Sequence, residues 1–368
     1  MLHKDILHSN GSTATFSMRA LQVAICILGA NFFLYNTALF DIRLVLRVIA
    51  AVILLAVFLL NFDTIKIKRS EIVAIGFLAC LLLLHGSEIL NLILIMLFIL
   101  DVRAVDASSL LSFISKAAVF FAIAAAILLM TGVVSNTVNV YQGRTRNYLG
   151  FTQPNATALF YACIMCVPFG AKRKTATVLV CCVLCLALFW LTDSRGLLVA
   201  VITYFLLYLI VGRCYSSKLI GPVKWIVYLT IIASLCISAI LPLFAGSEVD
   251  VLLSFRPTYY YSCLNELSIT DWILGAGETS VTVDNFYLIT VAIYGLPVLA
   301  YFAGKMIFAV KTVTASRDSC RVAFFVAMIV YAICETFLLR PETLITLAFW
   351  AMVSVKEPEE KSTPLGAR

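Results

Sequence analysis

KTATVLVCCVLCLALFWLTDSRGLLVAVITYFLLYLIVGR, residues 174–213, decides the fold class. Two apolar runs, 175–192 and 196–212, flank the polar step Asp193-Ser194-Arg195. Each run is close to the ~20 apolar residues that a helix needs to cross a bilayer core. The apolar residues are continuous rather than alternating, which excludes the strands of a membrane barrel. Working outward, runs of this kind recur at 20–39, 43–61, 71–86, 88–101, 112–133, 154–170, 224–244, 284–304, 321–339 and 342–355. The chain of 368 residues is 62% hydrophobic and 13% charged, with mean hydropathy +1.02. A soluble domain carries about half apolar and a quarter charged residues. The expectation is an all-α integral membrane protein, a single polytopic domain over 1–368, with about twelve transmembrane helices and one large folded external loop. The polar segment Met1–Ser17 precedes a run long enough to remain as a span, so no cleavable leader is expected.

Basic residues order the two sides. With the N-terminus in the cytoplasm and twelve spans, twenty of the 27 Lys and Arg residues fall on the cytoplasmic side, as the positive-inside tendency requires. The other seven are Arg43, Arg47, Arg144, Arg146, Arg195, Arg256 and Arg340. Every lysine is therefore inside, and the outer side carries arginine alone. Topology treats the two residues alike and does not explain the split. Arginine presents a planar fork that binds phosphate oxygens through paired hydrogen bonds, and it keeps its proton. This pattern points to an external site for an anionic group; arginines snorkelling at helix ends are the plainer reading. The net charge of +7 follows this topology and does not indicate nucleic acid. Of twelve cysteines, Cys263 alone falls in a predicted external loop, so no external disulfide framework is expected. Cys181, Cys182 and Cys185 read as small packing residues.

Two external segments stand out. The first, 134–153, leads into GRTRNYLGFTQPN (143–155). The second, 245–283, is the longest polar segment and holds SFRPTYYYSCLNEL, DWILGAG and the start of VTVDNFY. Loops this long are functional or disordered. Tyr259, Tyr260, Tyr261, Trp272, Ile273 and Leu274 favour a folded one, and the aromatic faces suit either sugar rings or the membrane interface. The C-terminal residues 356–368 read as a short disordered cytoplasmic tail.

Four features of these segments carry a resemblance. Arg146, Gly150, Pro154 and Asn155 stand at the head of a helix. Ser194, Arg195 and Gly196 form a tight hairpin step. Arg256 is followed by Gly275 and Gly277. Asp284 and Asn285 open the next helix, with Tyr287, Leu288, Gly295 and Leu296 after them. Glu335 in the penultimate run also fits. Over residues 140–345 the chain resembles the superfamily of Wzy-type polysaccharide polymerases and O-antigen ligases. Two departures matter: Gln153 stands where a His often precedes the Pro-Asn step, and the three histidines (His3, His8, His85) all lie outside the large loop. Asp284 occupies the place comparable to the loop histidine of the ligases, which favours polymerase.

The resemblance implies a GT-C-like bundle in the bacterial cytoplasmic membrane with both termini cytoplasmic. It implies transfer of a growing glycan from undecaprenyl pyrophosphate to a sugar hydroxyl of a lipid-linked repeat unit on the outer face. A flippase and a chain-length regulator are partners implied by the same resemblance. The departing pyrophosphate gains negative charge, which fixed cations stabilise in a low-dielectric site. The sequence offers neither an external His cluster nor an Asp-x-Asp step, so neither metal nor cofactor is expected. Arg146, Arg195 and Arg256 are the expected clamp and Asp284 the general base. Arg144, Asn155, Asn285, Glu335 and Arg340 are the expected substrate contacts. Five of these have a structural alternative: Arg195 paired with Asp193, Asp284 as a helix cap, Asn155 as a helix start, Glu335 paired with Arg340, Arg256 as a solvated charge. Two other functions stay open: a ligase moving finished glycan to another acceptor, and a transporter or flippase for a polyprenyl-linked solute. A transporter requires charges within the spans, and here Arg47 and Glu335 are the main ones.

Overall fold

A computed structural model describes residues 2–65, 67–141 and 144–354, with side chains from residue 13 onward apart from a few loop positions. The expected tail at 356–368 lies outside the described residues. The chain folds as α1 (Leu2–Asn36), α2 (Arg43–Leu60), α3 (Arg69–His85), α4 (Leu90–Asp101) and α5 (Ala107–Met130). An antiparallel hairpin follows, β1 (Val138–Tyr141) and β2 (Arg144–Asn147), with Val138 opposite Asn147. Next come α6 (Pro154–Tyr161), α7 (Lys174–Thr192), α8 (Arg195–Ser216) and α9 (Ile220–Ile240). Three short helices fill the large loop: α10 (Glu248–Leu252), α11 (Arg256–Asn265) and α12 (Ile269–Leu274). The chain ends with α13 (Phe286–Tyr294), α14 (Leu296–Ala315), α15 (Ser319–Tyr331) and α16 (Leu344–Ser354).

Among the described residues, seven helices are long and apolar enough to cross a membrane. They are Thr13–Asn36, Arg43–Leu60, Ala107–Met130, Lys174–Thr192, Arg195–Ser216, Ile220–Phe244 and Leu296–Ala315. Three shorter apolar helices accompany them, Pro154–Phe169, Ser319–Tyr331 and Leu344–Ser354. The long helices leave large apolar side chains uncovered: Trp190 is 83% exposed and Phe308 78%. A water-soluble helix turns a polar stripe outward; these turn hydrocarbon outward. The protein is a membrane protein, and its peripheral helices face lipid.

The short helices form the centre. Every residue of α16 is buried, as is nearly all of α13 and α15. Trp350 packs on Phe302 at 4.8 Å between centroids and donates Nε1–H to Leu338 O at 3.0 Å. Phe325 stacks on Phe349 at 5.1 Å.

Contacts sort the connections onto two faces. On one, Glu71 joins Arg103 and Lys305, Lys174 joins Asp318, and Arg321 donates to Ser108. We call this the lysine face. On the other, Thr152 N bonds Asn36 O, Asn147 bonds Leu191 O, Arg195 bonds Leu252 O and Arg47 pairs with Glu342. We call this the loop face. All seven arginines set apart by the sequence belong to segments of the loop face.

Three expectations need correction. The run read as a single span over 284–304 is two helices broken at Gly295, and the long one is α14. The run read as 321–339 stops being helical at Tyr331, so Glu335 sits in a non-helical connector and not in a helix. The segment 134–153, read as a loop, contains the β1–β2 hairpin. Each error has one cause. Hydropathy registers apolar residues whether lipid or protein covers them, and it is blind to a four-residue strand pair.

Candidate functional site

The site is built where connectors of the loop face converge. Glycines permit the approach. At Gly275 (φ +76°) and Gly295 (φ +85°) an added Cβ would run into the backbone carbonyls of Ile293 and Ile273, so the two turns are in backbone contact. Ala276 N–H and Gly277 N–H then donate to Ala292 O (2.7 Å) and Ile293 O (3.2 Å), tying the large loop to the α13–α14 break. Gly196, at the start of α8, lies against Tyr331 and Cys334, where a Cβ would sit 3.0 Å from the Tyr331 ring. The motif glycines therefore dock segments onto one another.

Asp250, 1% exposed, closes the first turn of the loop. It accepts from Gly246 N and Thr258 N, each at 3.0 Å, and from the Thr258 hydroxyl. Burial works against its charge, but these hydrogen bonds prevail and hold its carboxyl below the ordinary range. This clamp sets the start of α11, where Pro257 follows Arg256 in the first turn.

Arg256 donates Nη1–H to Cys334 O at 3.1 Å and lies 3.5 Å from Asp284 Oδ2 through Nη2. Both side chains stay about one-third exposed, at 29% and 32%. Asp284 is not a helix cap: the neighbouring Asn285 caps α13, its Oδ1 accepting from Tyr287 N (2.9 Å) and Leu288 N (3.1 Å). Asn285 also donates to Ser238 and is fully buried, so its side chain is committed to the fold. That corrects its expected role as a substrate contact.

Glu335 is buried one turn beyond Tyr331. Burial, then the nearby Asp284 carboxylate, pushes its carboxyl up to about 8; Arg256, Arg340 and Arg146 pull the other way. Asp284, Arg256, Arg340 and Arg146 all lie within electrostatic range of this one acid. Arg146 reaches the group from β2, held by Asn155 Oδ1 at 2.7 Å and Thr192 O at 3.1 Å. Asn155 is thus the anchor of Arg146 as well as a first-turn residue of α6. Arg340 is exposed at the rim.

Arg195 is placed differently. It donates to Leu252 O at 2.9 Å, towards the loop's start. The side chain of Arg144 lies outside the described residues. Two groups escaped the sequence reading. Tyr260, 2% exposed, interacts with Arg256, Asp284 and Glu335. His85, whose Nε2 is 3.0 Å from Leu274 O, props the Gly275–Gly277 turn. The Tyr259–Tyr261 run was the available signal for the first; nothing local signals the second.

Among the described residues, no group of three or more His, Cys, Asp or Glu is placed to hold a metal ion. The arrangement can hold a polyanion beside two carboxyl groups, Asp284 and the buried Glu335. The described cysteines are all free thiols. Comparison with protein-family models, curated proteins and solved structures returns no match.

Proposed function

We propose that the chain is a polysaccharide polymerase of the bacterial cytoplasmic membrane, working on its outer face. The observation that carries this reading is the approach of Arg146, Arg256 and Arg340 to Asp284 and Glu335 on the face where the segments described carry arginine and, among the described residues, no lysine. We also infer that α3, α4 and the three shorter apolar helices cross the membrane. That gives about twelve spans in a GT-C-like bundle, with the lysine face and both termini cytoplasmic.

The donor is a glycan on undecaprenyl pyrophosphate. Its pyrophosphate takes the guanidinium forks of Arg256 and Arg146, with Arg340 at the rim. The Arg256–Asp284 contact is long and partly exposed, worth ~0–1 kcal/mol, so a phosphate oxygen displaces Asp284 from it. Donor binding thereby frees the base. The acceptor hydroxyl of a lipid-linked repeat unit attacks the donor's anomeric carbon, and its proton passes to Asp284. The carbon–oxygen bond to pyrophosphate breaks, and the electron pair leaves on the pyrophosphate oxygen. The arginines stabilise that charge. Neutral Glu335 leaves the clamp's positive charge available to the phosphates. Arg195 acts through the loop, holding Leu252.

Deletion in the host, with sizing of surface and lipid-linked glycan, tests this reading. A polymerase deletion leaves single repeat units in place of a ladder, and Asp284→Asn fails to restore the ladder. Full-length chains accumulating on undecaprenyl pyrophosphate would make it a ligase. Lipid-linked repeats trapped on the cytoplasmic leaflet would make it a flippase.

A further inference from the structure

Helix α3 is fastened at its two ends and hollow between them. At its foot, fully buried Glu71 receives Arg103 Nη1 at 2.8 Å, a second contact from Arg103 Nη2, and Lys305 Nζ. It also accepts from Lys68 N at 2.9 Å. At its top, His85 bonds Leu274 O. Of the residues between, Leu78 and Leu81 alone are buried. A crevice of about 260 Å³ opens between α3, α4 and α14. Ala74, Phe77, Met96 and Pro297 line it, with Ser70 and Tyr301 at the lysine-face end.

That end is polar and cationic. The Tyr301 hydroxyl is buried and has no hydrogen-bond partner. Lys305 lies 5.3 Å from the Tyr301 ring centroid. Lys68 and Arg69 are exposed beside Ser70 at the start of α3, where the helix dipole is positive. With Arg103, four cations (Lys68, Arg69, Arg103 and Lys305) gather at this end, where Glu71 is the carboxylate paired with Arg103 and Lys305.

We propose that the crevice binds an anionic diacyl phospholipid. One acyl chain fills the gap beneath α3, and the phosphate sits among Lys68, Arg69, Ser70 and Tyr301. An unfilled apolar gap forfeits dispersion contacts on every wall, and a hydrocarbon chain restores them. The volume is just below the ~300–1,000 Å³ of pockets that enclose a whole small ligand, which suits part of a chain. The excess of cations selects an anionic headgroup over a zwitterionic one. The polar end lies on the face opposite the arginine site, so the occupant is not the donor lipid of the proposed reaction. The inference requires membrane embedding and does not depend on the chemistry proposed above.

The test uses the full chain in nanodiscs of equal phosphatidylglycerol and phosphatidylcholine, released into detergent for native mass spectrometry. Wild type should retain one phosphatidylglycerol in preference by roughly tenfold, the ratio that one or two added charge contacts at a membrane surface supply. Ala74→Trp, which fills the crevice, should lose the retained lipid. Lys68→Gln with Arg69→Gln should bring the two lipids level. These two residues are exposed, so this variant carries the test if Ala74→Trp fails to insert. Equal retention of both lipids by wild type would overturn the proposal, as would preference unchanged in the charge variant. Displacement of phosphatidylglycerol by added undecaprenyl phosphate would overturn it too, in favour of a polyprenyl site.

Discussion

Replacing Glu335 by Gln removes a carboxyl that the fold holds protonated near neutrality. In the folded protein this group is pushed up to about 8 from the ordinary 4.5, chiefly by burial and then by Asp284. An acid whose folded pKa is raised costs stability as pH climbs, because unfolding lets it ionise in water. The cost begins near the unfolded value, grows until the folded value, and is constant beyond. It is absent below pH 4.5 and complete above pH 8. The interval of roughly 3.5 pH units corresponds to about 5 kcal/mol at 1.36 kcal/mol per unit, and about 3 kcal/mol of it is reached by pH 7. Glutamine has nearly the same shape and cannot ionise, so E335Q escapes the cost. Unfolding midpoints of wild type and E335Q, read by tryptophan fluorescence in detergent between pH 5 and 9, should nearly coincide at pH 5. They should then diverge up to pH 8, the variant being the more stable, and run parallel above it. A gap that is constant across this range, or that narrows as pH rises, would refute the placement of Glu335 among these charges.

Arg256→Lys keeps the charge but loses the fork that reaches both Cys334 O and Asp284; glycan elongation by reconstituted protein should fall by ~10²–10³-fold, the loss typical of one transition-state donor, with membrane insertion unchanged. Glu71→Gln leaves Arg103 and Lys305 without their shared carboxylate; thermal unfolding should register a loss of ~3–5 kcal/mol, part of it recovered by adding Lys305→Met. Gly275→Ala drives a Cβ into the Ile293 carbonyl at a cost of about 1–3 kcal/mol for the strained turn. Limited proteolysis should then cut within 245–283 faster than in wild type, while the spans stay protected.

The long spans were readable because lipid imposes a length and forbids polar side chains over it. The grouping of basic residues at alternate connections was readable because a charged side chain is costly within a span, so charges collect at the ends. What failed was the interior. Residues of α13 are as apolar as those of a span, but protein covers them, and hydropathy cannot separate the two kinds of burial. The break at Gly295 shows itself only against its partner turn at Gly275, twenty residues away in sequence. The connector after Tyr331 is masked by Phe337, Leu338 and Leu339, which are buried in a short 3-10 turn.

The candidate site shows the same limit at the scale of two residues. Asp284 and Asn285 are both good helix caps on sequence grounds, and either could start α13. The structure gives the cap to Asn285, whose amide both accepts from the helix and donates to Ser238. An aspartate at position 285 would bring a charge into a fully buried place and lose the donated bond. An asparagine at position 284 would keep the fold and lose the anion opposite Arg256. The neutral residue therefore does the structural work where water is excluded, and the charged one stands where a third of it is open. On the function proposed above, that division leaves Asp284 free to take the acceptor's proton. It also makes Asp284→Asn a sharper probe than Asn285→Asp, because a lost activity in the first would not be a lost fold.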